Sequence, residues 1–422
     1  MNLALAIIDT FDISLHQPQP PGFLFHIIFG KAVHVFIGNP FTVTELQSLV
    51  YLMITLFIIR NAAERKPGHL LLFGTVPLFL FLSAAPVMQA ASIPFSAMTA
   101  LVCVKSLREN RGYPVVFAVL FGLGIGFRYD FALFLGPVAL LVTAARKPPF
   151  REWLIAFLLF SGITLLWYIP TSVMSGNVSP LLSTIDVQRI LSSGVSFIRG
   201  GLLSENIRCA LRFLMYLPGV FGIGTLFIII GNFRKADPSN KIICLTAVLP
   251  FFGMGILLFM PLPQYYASVT SFILVFMMKT GRLNARGAVL ISGIIINLVF
   301  FWVVPRPLVP EGNVHNRGIA VNTMKQLSYT GSNGAAVLLH HKKLMNLADA
   351  TCGTCPTFYS PLLWDRIWKY LARYRWNNRF TADRQSADCI LEYRYRSDGS
   401  VSTHLYPEPI LHRGRNSPDA SR

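Results

Sequence analysis

The sequence predicts an all-α polytopic membrane protein of about ten transmembrane helices, with a small extracytoplasmic C-terminal domain whose apolar runs suit an α/β fold. Three observations predict this. Apolar residues make up 53% of the chain and charged residues 13%, with a mean hydropathy of +0.52, which leaves too little charge to cover a soluble surface. The apolar residues come in blocks of roughly 15–23, the length a helix needs to cross hydrocarbon. Basic residues cluster in every second connector between these blocks.

Taken in order, the blocks place spans at 42–60, 69–84, 88–105, 113–127, 131–145, 152–170, 209–231, 241–260, 264–279 and 286–304. Helices are expected because lipid offers no partner for unpaired backbone N–H and C=O groups. Arg60/Arg65/Lys66, Lys105/Arg108/Arg111, Arg146/Lys147/Arg151, Arg234/Lys235/Lys241 and Lys279/Arg282/Arg286 follow the first, third, fifth, seventh and ninth spans. The positive-inside bias makes that face cytoplasmic and puts 1–41, 85–88, 128–130, 171–208, 261–263 and everything after 304 outside. The net charge of +18 is therefore read as retention of loops in the cytoplasm, not as affinity for nucleic acid.

The start, Met1–Asp9, has no basic n-region and meets an acid early, so it reads neither as a secretory signal nor as a span. Residues 22–38 are apolar, with His26, Lys31 and His34 in one arc of a helical wheel, and read as a helix lying in the outer interface. Four regions follow: 1–41, an extracytoplasmic loop with this interfacial helix; 42–304, the transmembrane domain; 305–406, the C-terminal domain; and 407–422, a disordered tail. The outer loop 171–208 carries Asp186, Arg189, Arg199, Glu205 and Arg208. Loops of that length inside a membrane protein are commonly functional or mobile.

The densest polar stretch on the outer face runs from Asp9 to Phe23. Pro18, Pro20 and Pro21 stiffen it and bar a helix there. A rigid loop with Asp9, Asp12, His16 and Gln17 suits the positioning of a polar substrate; the plainer reading is a linker whose prolines separate two interfacial helices. Arg128, in the short turn Phe127-Arg128-Tyr129-Asp130, is placed to hold a phosphate bidentately, or else to pair with Asp130 or snorkel to the interface. Gln264 and Tyr265, with Tyr266, either line the same cavity from another outer turn or anchor the aromatic belt. Cys103, Cys209 and Cys244 read as packing residues, whereas Cys352 and Cys355 admit a disulfide or, with His340 and His341, a zinc site.

The N-terminal stretch resembles the first extracytoplasmic loop of bacterial GT-C glycosyltransferases, a superfamily that includes protein O-mannosyltransferases and the aminoarabinose transferases of lipid A. Their pattern D-S-x-N-x-A-L, then F-D, then H-x-P-x-P-P-G-[YF] is matched in order by Asn2-Leu3-Ala4-Leu5, Phe11-Asp12 and His16-Gln17-Pro18-Gln19-Pro20-Pro21-Gly22-Phe23. The similarity covers roughly the first 40 residues, with an echo at Gly126-Phe127-Arg128. It implies inverting transfer of a sugar from a polyprenyl-phosphate-linked donor to a glycan, lipid or protein acceptor, at the extracytoplasmic face of a bacterial inner membrane. It also implies a preceding span and an acidic base, expected about two residues before Met1, so the resemblance implies either a start codon assigned too late or a truncated, inactive copy. Within the chain the catalytic candidates are Asp9, Asp12 and His16; the substrate-binding candidates are Gln17, Arg128, Tyr129, Asp130, Gln264 and Tyr265. No metal ligand set and no cofactor are assigned, a divalent metal staying an open alternative. A transporter or flippase of a lipid-linked glycan is the competing class, set behind the enzyme because no internal repeat is evident and ionisable residues sit at span ends.

Overall fold

The computed structural model describes residues 6–7, 23–37, 40–62, 67–84, 88–174, 207, 217, 220–253, 266–280, 287–302, 358–359, 389–395 and 401–407. These are mostly helical. In chain order the helices are α1 (Leu24–His34), α2 (Pro40–Ala62), α3 (Pro67–Gly74), α4 (Pro77–Ala84), α5 (Ser92–Glu109, entered by a 3-10 turn Met88–Ala91), α6 (Pro114–Phe127) and α7 (Asp130–Ala144). They continue with α8 (Phe150–Met174), α9 (Ile223–Phe233), α10 (Pro238–Phe252), α11 (Ala267–Lys279) and α12 (Gly287–Trp302). Five of them open on proline, which fits the first helical position because its missing N–H would have no partner there.

Among the described residues three helical stretches are long and apolar enough to cross a membrane: Thr42–Asn61, Gln89–Glu109 and Phe150–Met174. The surface of the last of these fits lipid. Along α8 the side chains of Phe157, Leu158, Leu166 and Ile169 are exposed, and only Ala156, Trp167 and Thr171 are buried. A water-soluble helix would not bare such a run. The remaining apolar helices are shorter.

The expected span 69–84 is two helices, not one. Thr75 ends α3, its Oγ1 donating to the Leu71 and Leu72 carbonyls at 2.9 and 3.1 Å. Pro77 then opens α4, and the residue before a proline is pushed out of the helical region. Phe73 and Phe79 stack across the break with ring centroids 4.3 Å apart.

The hub of the core is α11, buried from Ala267 to Met278 and packed against α5, α7 and α10. Ser271 Oγ donates to the Ile93 carbonyl at 3.0 Å and ties α11 to α5. At one end of this bundle three of the five basic connectors meet. Arg111 pairs with Glu152 at 3.2 Å, Arg146 donates to Asn110 Oδ1 at 2.5 Å, and Arg108 donates to the Lys279 carbonyl at 2.9 Å. Elsewhere α9 and α12 cross in backbone contact at Gly224 and Gly293.

Three short strands, β1 (Phe358–Tyr359), β2 (Cys389–Tyr395) and β3 (Val401–Pro407), form a sheet of order β1-β2-β3. β1 runs parallel to β2; β2 and β3 are antiparallel, with Cys389 opposite Pro407 and Tyr395 opposite Val401.

Candidate functional site

The side chains that converge belong to α1, the first half of α2 and the α6–α7 turn, at the end of α6 away from the Arg111–Glu152 pair. α1 lies directly on α6. A Cβ at Gly126 would stand 2.3 Å from the Phe25 ring, so this crossing needs glycine. Phe25 and Tyr51 then meet Phe127 with ring centroids 5.8 and 6.2 Å apart.

Arg128 sits at the centre. Helix α6 stops at Phe127, the chain turns extended, and the Arg128 N–H closes the last turn on the Gly124 carbonyl at 2.6 Å. Its side chain is only 3% exposed, so it does not snorkel. The guanidinium carbon lies 4.9 Å from the Phe23 ring centroid and 5.4 Å from that of Tyr129. Those two rings stack on each other, 5.8 Å apart and inclined by 10°. The delocalised cation thus meets aromatic surface, an arrangement that suits the planar guanidinium better than a lysine ammonium. Phe23 reaches this position from a left-handed backbone, φ 48° and ψ 48°, immediately before α1. That conformation is an outlier for a bulky side chain and is held by the packing around it.

His26, in the first turn of α1, is buried. The Tyr51 hydroxyl meets its Nδ1 at 2.9 Å, and Gln47 Nε2 donates to its backbone carbonyl at 2.9 Å. Gln47 and Tyr51 are four residues apart, so α2 presents both on one face. His26 Nε2 and Gln47 Oε1 are buried and have no hydrogen-bond partner among the described residues. Burial, reinforced by the positive charge of Arg128, lowers the His26 pKa from 6.5 to about 3, so the imidazole is uncharged.

Of the residues singled out in the sequence, Arg128 and Tyr129 are brought together here with Phe23. Asp130 opens α7. Asp9, Asp12, His16, Gln17, Gln264 and Tyr265 lie outside the described residues, as do Cys209, Cys352, Cys355, His340 and His341. Tyr266 is wholly buried at the start of α11, its ring 6.2 Å from that of Phe134, and packs into the core. Cys103 and Cys244 are buried free thiols. The polar arc read on α1 is split: Lys31 and His34 are half-exposed, whereas His26 turns inward. Periodicity placed all three together because it registers polarity and not which face finds a partner. A signal for the missed pair was present on α2, where Thr44, Gln47, Ser48, Tyr51 and Thr55 form a buried polar stripe at helical spacing.

Chemically, the cluster sets a fixed cation beside a neutral imidazole under aromatic cover, a combination that can hold an oxyanion at the end of an apolar bundle. Set beside known protein families, curated proteins and solved structures, the chain matches none.

Proposed function

We propose that this membrane protein is a GT-C-type glycosyltransferase that moves a sugar from a polyprenyl-phosphate-linked donor to an acceptor hydroxyl at the extracytoplasmic face. The observation that supports it best is the buried Arg128 guanidinium, packed against Phe23 and Tyr129 at the end of α6 away from the Arg111–Glu152 pair. In this reaction the acceptor oxygen bonds to the anomeric carbon as the bond from that carbon to the phosphate oxygen breaks. The acceptor's proton passes to a carboxylate, and polyprenyl phosphate leaves with its electron pair. Arg128 is proposed to stabilise the charge that grows on that phosphate. Asp9 and Asp12 are the carboxylates proposed for this from the chain's own residues, with His16 a further catalytic candidate. No nucleotide sugar takes part.

Ten spans complete the proposed topology. Its basic connectors face the cytoplasm, and 305–406 folds as a domain outside the inner membrane of a bacterium. Cysteine labelling should find Lys66 and the 305–406 region accessible from opposite sides of the membrane. Labelling of both from one side overturns the topology.

The broken helix at Thr75–Val76 is the feature that favours a transporter, since broken spans build many transport sites. Here Phe73, Val76 and Phe79 around the break are fully buried and apolar. That is packing, not a polar path for substrate, and the enzyme reading stands ahead.

The direct test is donor binding by the reconstituted full chain. Arg128→Ala should weaken binding of a polyprenyl-phosphate sugar by about 10- to 100-fold, the worth of a charge-assisted hydrogen bond. Arg128→Lys should retain part of the affinity, having charge without the planar fork. Parental binding by both variants makes Arg128 an anchor of the α6–α7 turn and nothing more.

A further inference from the structure

We infer that His26 contacts the ligand in the Arg128 site, its Nε2 donating a hydrogen bond to a phosphate oxygen while Tyr51 holds the opposite edge of the ring. The inference rests on the reading of Arg128 as a phosphate-binding group.

Three observations carry it. His26 is 1% exposed, yet its Nε2 has no partner among the described residues. Native proteins rarely bury a polar nitrogen in this way, and a group so placed marks a missing partner. Next, the ring is fixed. Its Nδ1 lies 2.9 Å from the Tyr51 hydroxyl, and its carbonyl is held by Gln47 at 2.9 Å. If the hydroxyl donates to Nδ1, the proton of the neutral ring resides on Nε2, which makes that atom a donor. Last, His26 and Arg128 belong to one packed cluster: the Tyr51 ring meets both the His26 ring, at 5.8 Å, and that of Phe127, the residue before Arg128, at 6.2 Å, while the Arg128 guanidinium stands 4.9 Å from Phe23, three residues before His26.

A neutral donor beside a fixed cation suits an oxyanion better than two cations would, because no like-charge repulsion has to be overcome before the ligand arrives. Tyr51 is accordingly a positioning residue: it acts on the phosphate only through the imidazole. The arrangement would serve a lipid phosphate headgroup and a free phosphate alike, and the test separates them.

The full chain in lipid nanodiscs is titrated with a polyprenyl monophosphate and, separately, with inorganic phosphate. His26→Phe keeps an aromatic ring and removes the donor; it should weaken polyprenyl phosphate binding by about 10- to 100-fold. Tyr51→Phe should cost a few-fold, about the worth of one neutral hydrogen bond. In the parent protein labelled with 15N-histidine, the Nε2 resonance of His26 should shift on titration, a change that a purely structural ring would not show. Loss of lipid binding with no binding of inorganic phosphate assigns the site to a headgroup; parallel losses for both assign it to phosphate generally. Parental binding by folded His26→Phe, or an unmoved Nε2 resonance in the parent, overturns the inference. If Arg128→Ala still weakens binding in that case, the phosphate reading survives alone. Failure of both probes to bind the parent removes both readings.

Discussion

Gly224→Leu should markedly destabilise the packed protein. Helices α9 and α12 touch backbone to backbone, and a Cβ at Gly224 would lie 2.2 Å from the Gly293 carbonyl oxygen and 2.6 Å from its Cα. No side-chain rotation relieves a clash with backbone, so the helices must separate. In lipid, helix association relies on close packing and interhelical hydrogen bonds, because leaving the bilayer's apolar chains brings no hydrophobic gain. Separation would also break the clasp between them. Asn297 Nδ2 donates to Thr225 Oγ1 at 2.7 Å, and the Thr225 N–H donates to Asn297 Oδ1 at 3.3 Å. The expected cost of Gly224→Leu is about 3 kcal/mol, the upper end for overpacking. Asn297→Leu, which removes only the clasp, should cost about 1 kcal/mol. Unfolding of the purified protein in mixed micelles measures both. A Gly224→Leu protein as stable as the parent means that the two helices do not cross there.

Acidification should destabilise the parent through His26. The group titrates at 6.5 in the unfolded chain and at about 3 in the folded one, burial being the larger cause and the Arg128 charge the smaller. A depressed folded pKa means that the unfolded state binds the proton first. The contribution is therefore complete above pH 6.5 and is lost as the pH falls toward about 3. The slope approaches ~1.4 kcal/mol per pH unit, so lowering the pH from 7 to 5 should cost about 2 kcal/mol. His26→Phe has no proton to bind at this position and should lose correspondingly less over that interval. Other groups titrate in both proteins, so the difference between their two pH profiles isolates His26. Identical profiles would mean that the imidazole is solvated.

Much of the helical plan was legible in the chain. Expected spans 113–127, 131–145 and 152–170 correspond to Pro114–Phe127, Asp130–Ala144 and Phe150–Met174. Their ends are written by proline, glycine and clustered charge, which are local signals with local physical causes. Arg128, in the turn after α6, was also legible, since an arginine between two apolar blocks is conspicuous. The break at Thr75–Val76 was missed although Pro77 announced it, because hydropathy averaged over a window does not register one proline in an apolar block.

Apolar block length, basic alternation and proline placement belong to single segments, and the sequence by itself determined those: a helical membrane protein and the positions of most of its helices. Only the tertiary structure decided which helix stands at the centre. α8 and α11 are both strongly apolar, yet α8 bares Phe157 and Leu166 while α11 is buried from Ala267 to Met278. Lipid and protein interior are both apolar surroundings, so a side chain suited to one is suited to the other and composition cannot tell them apart. The same holds at the site. Sequence placed His26 with Lys31 and His34 on a polar arc, and it was Gln47 and Tyr51, reaching it from α2, that turned His26 inward beside Arg128. A hydrogen bond between residues 25 apart in the chain satisfies a buried polar group only once the two helices have met.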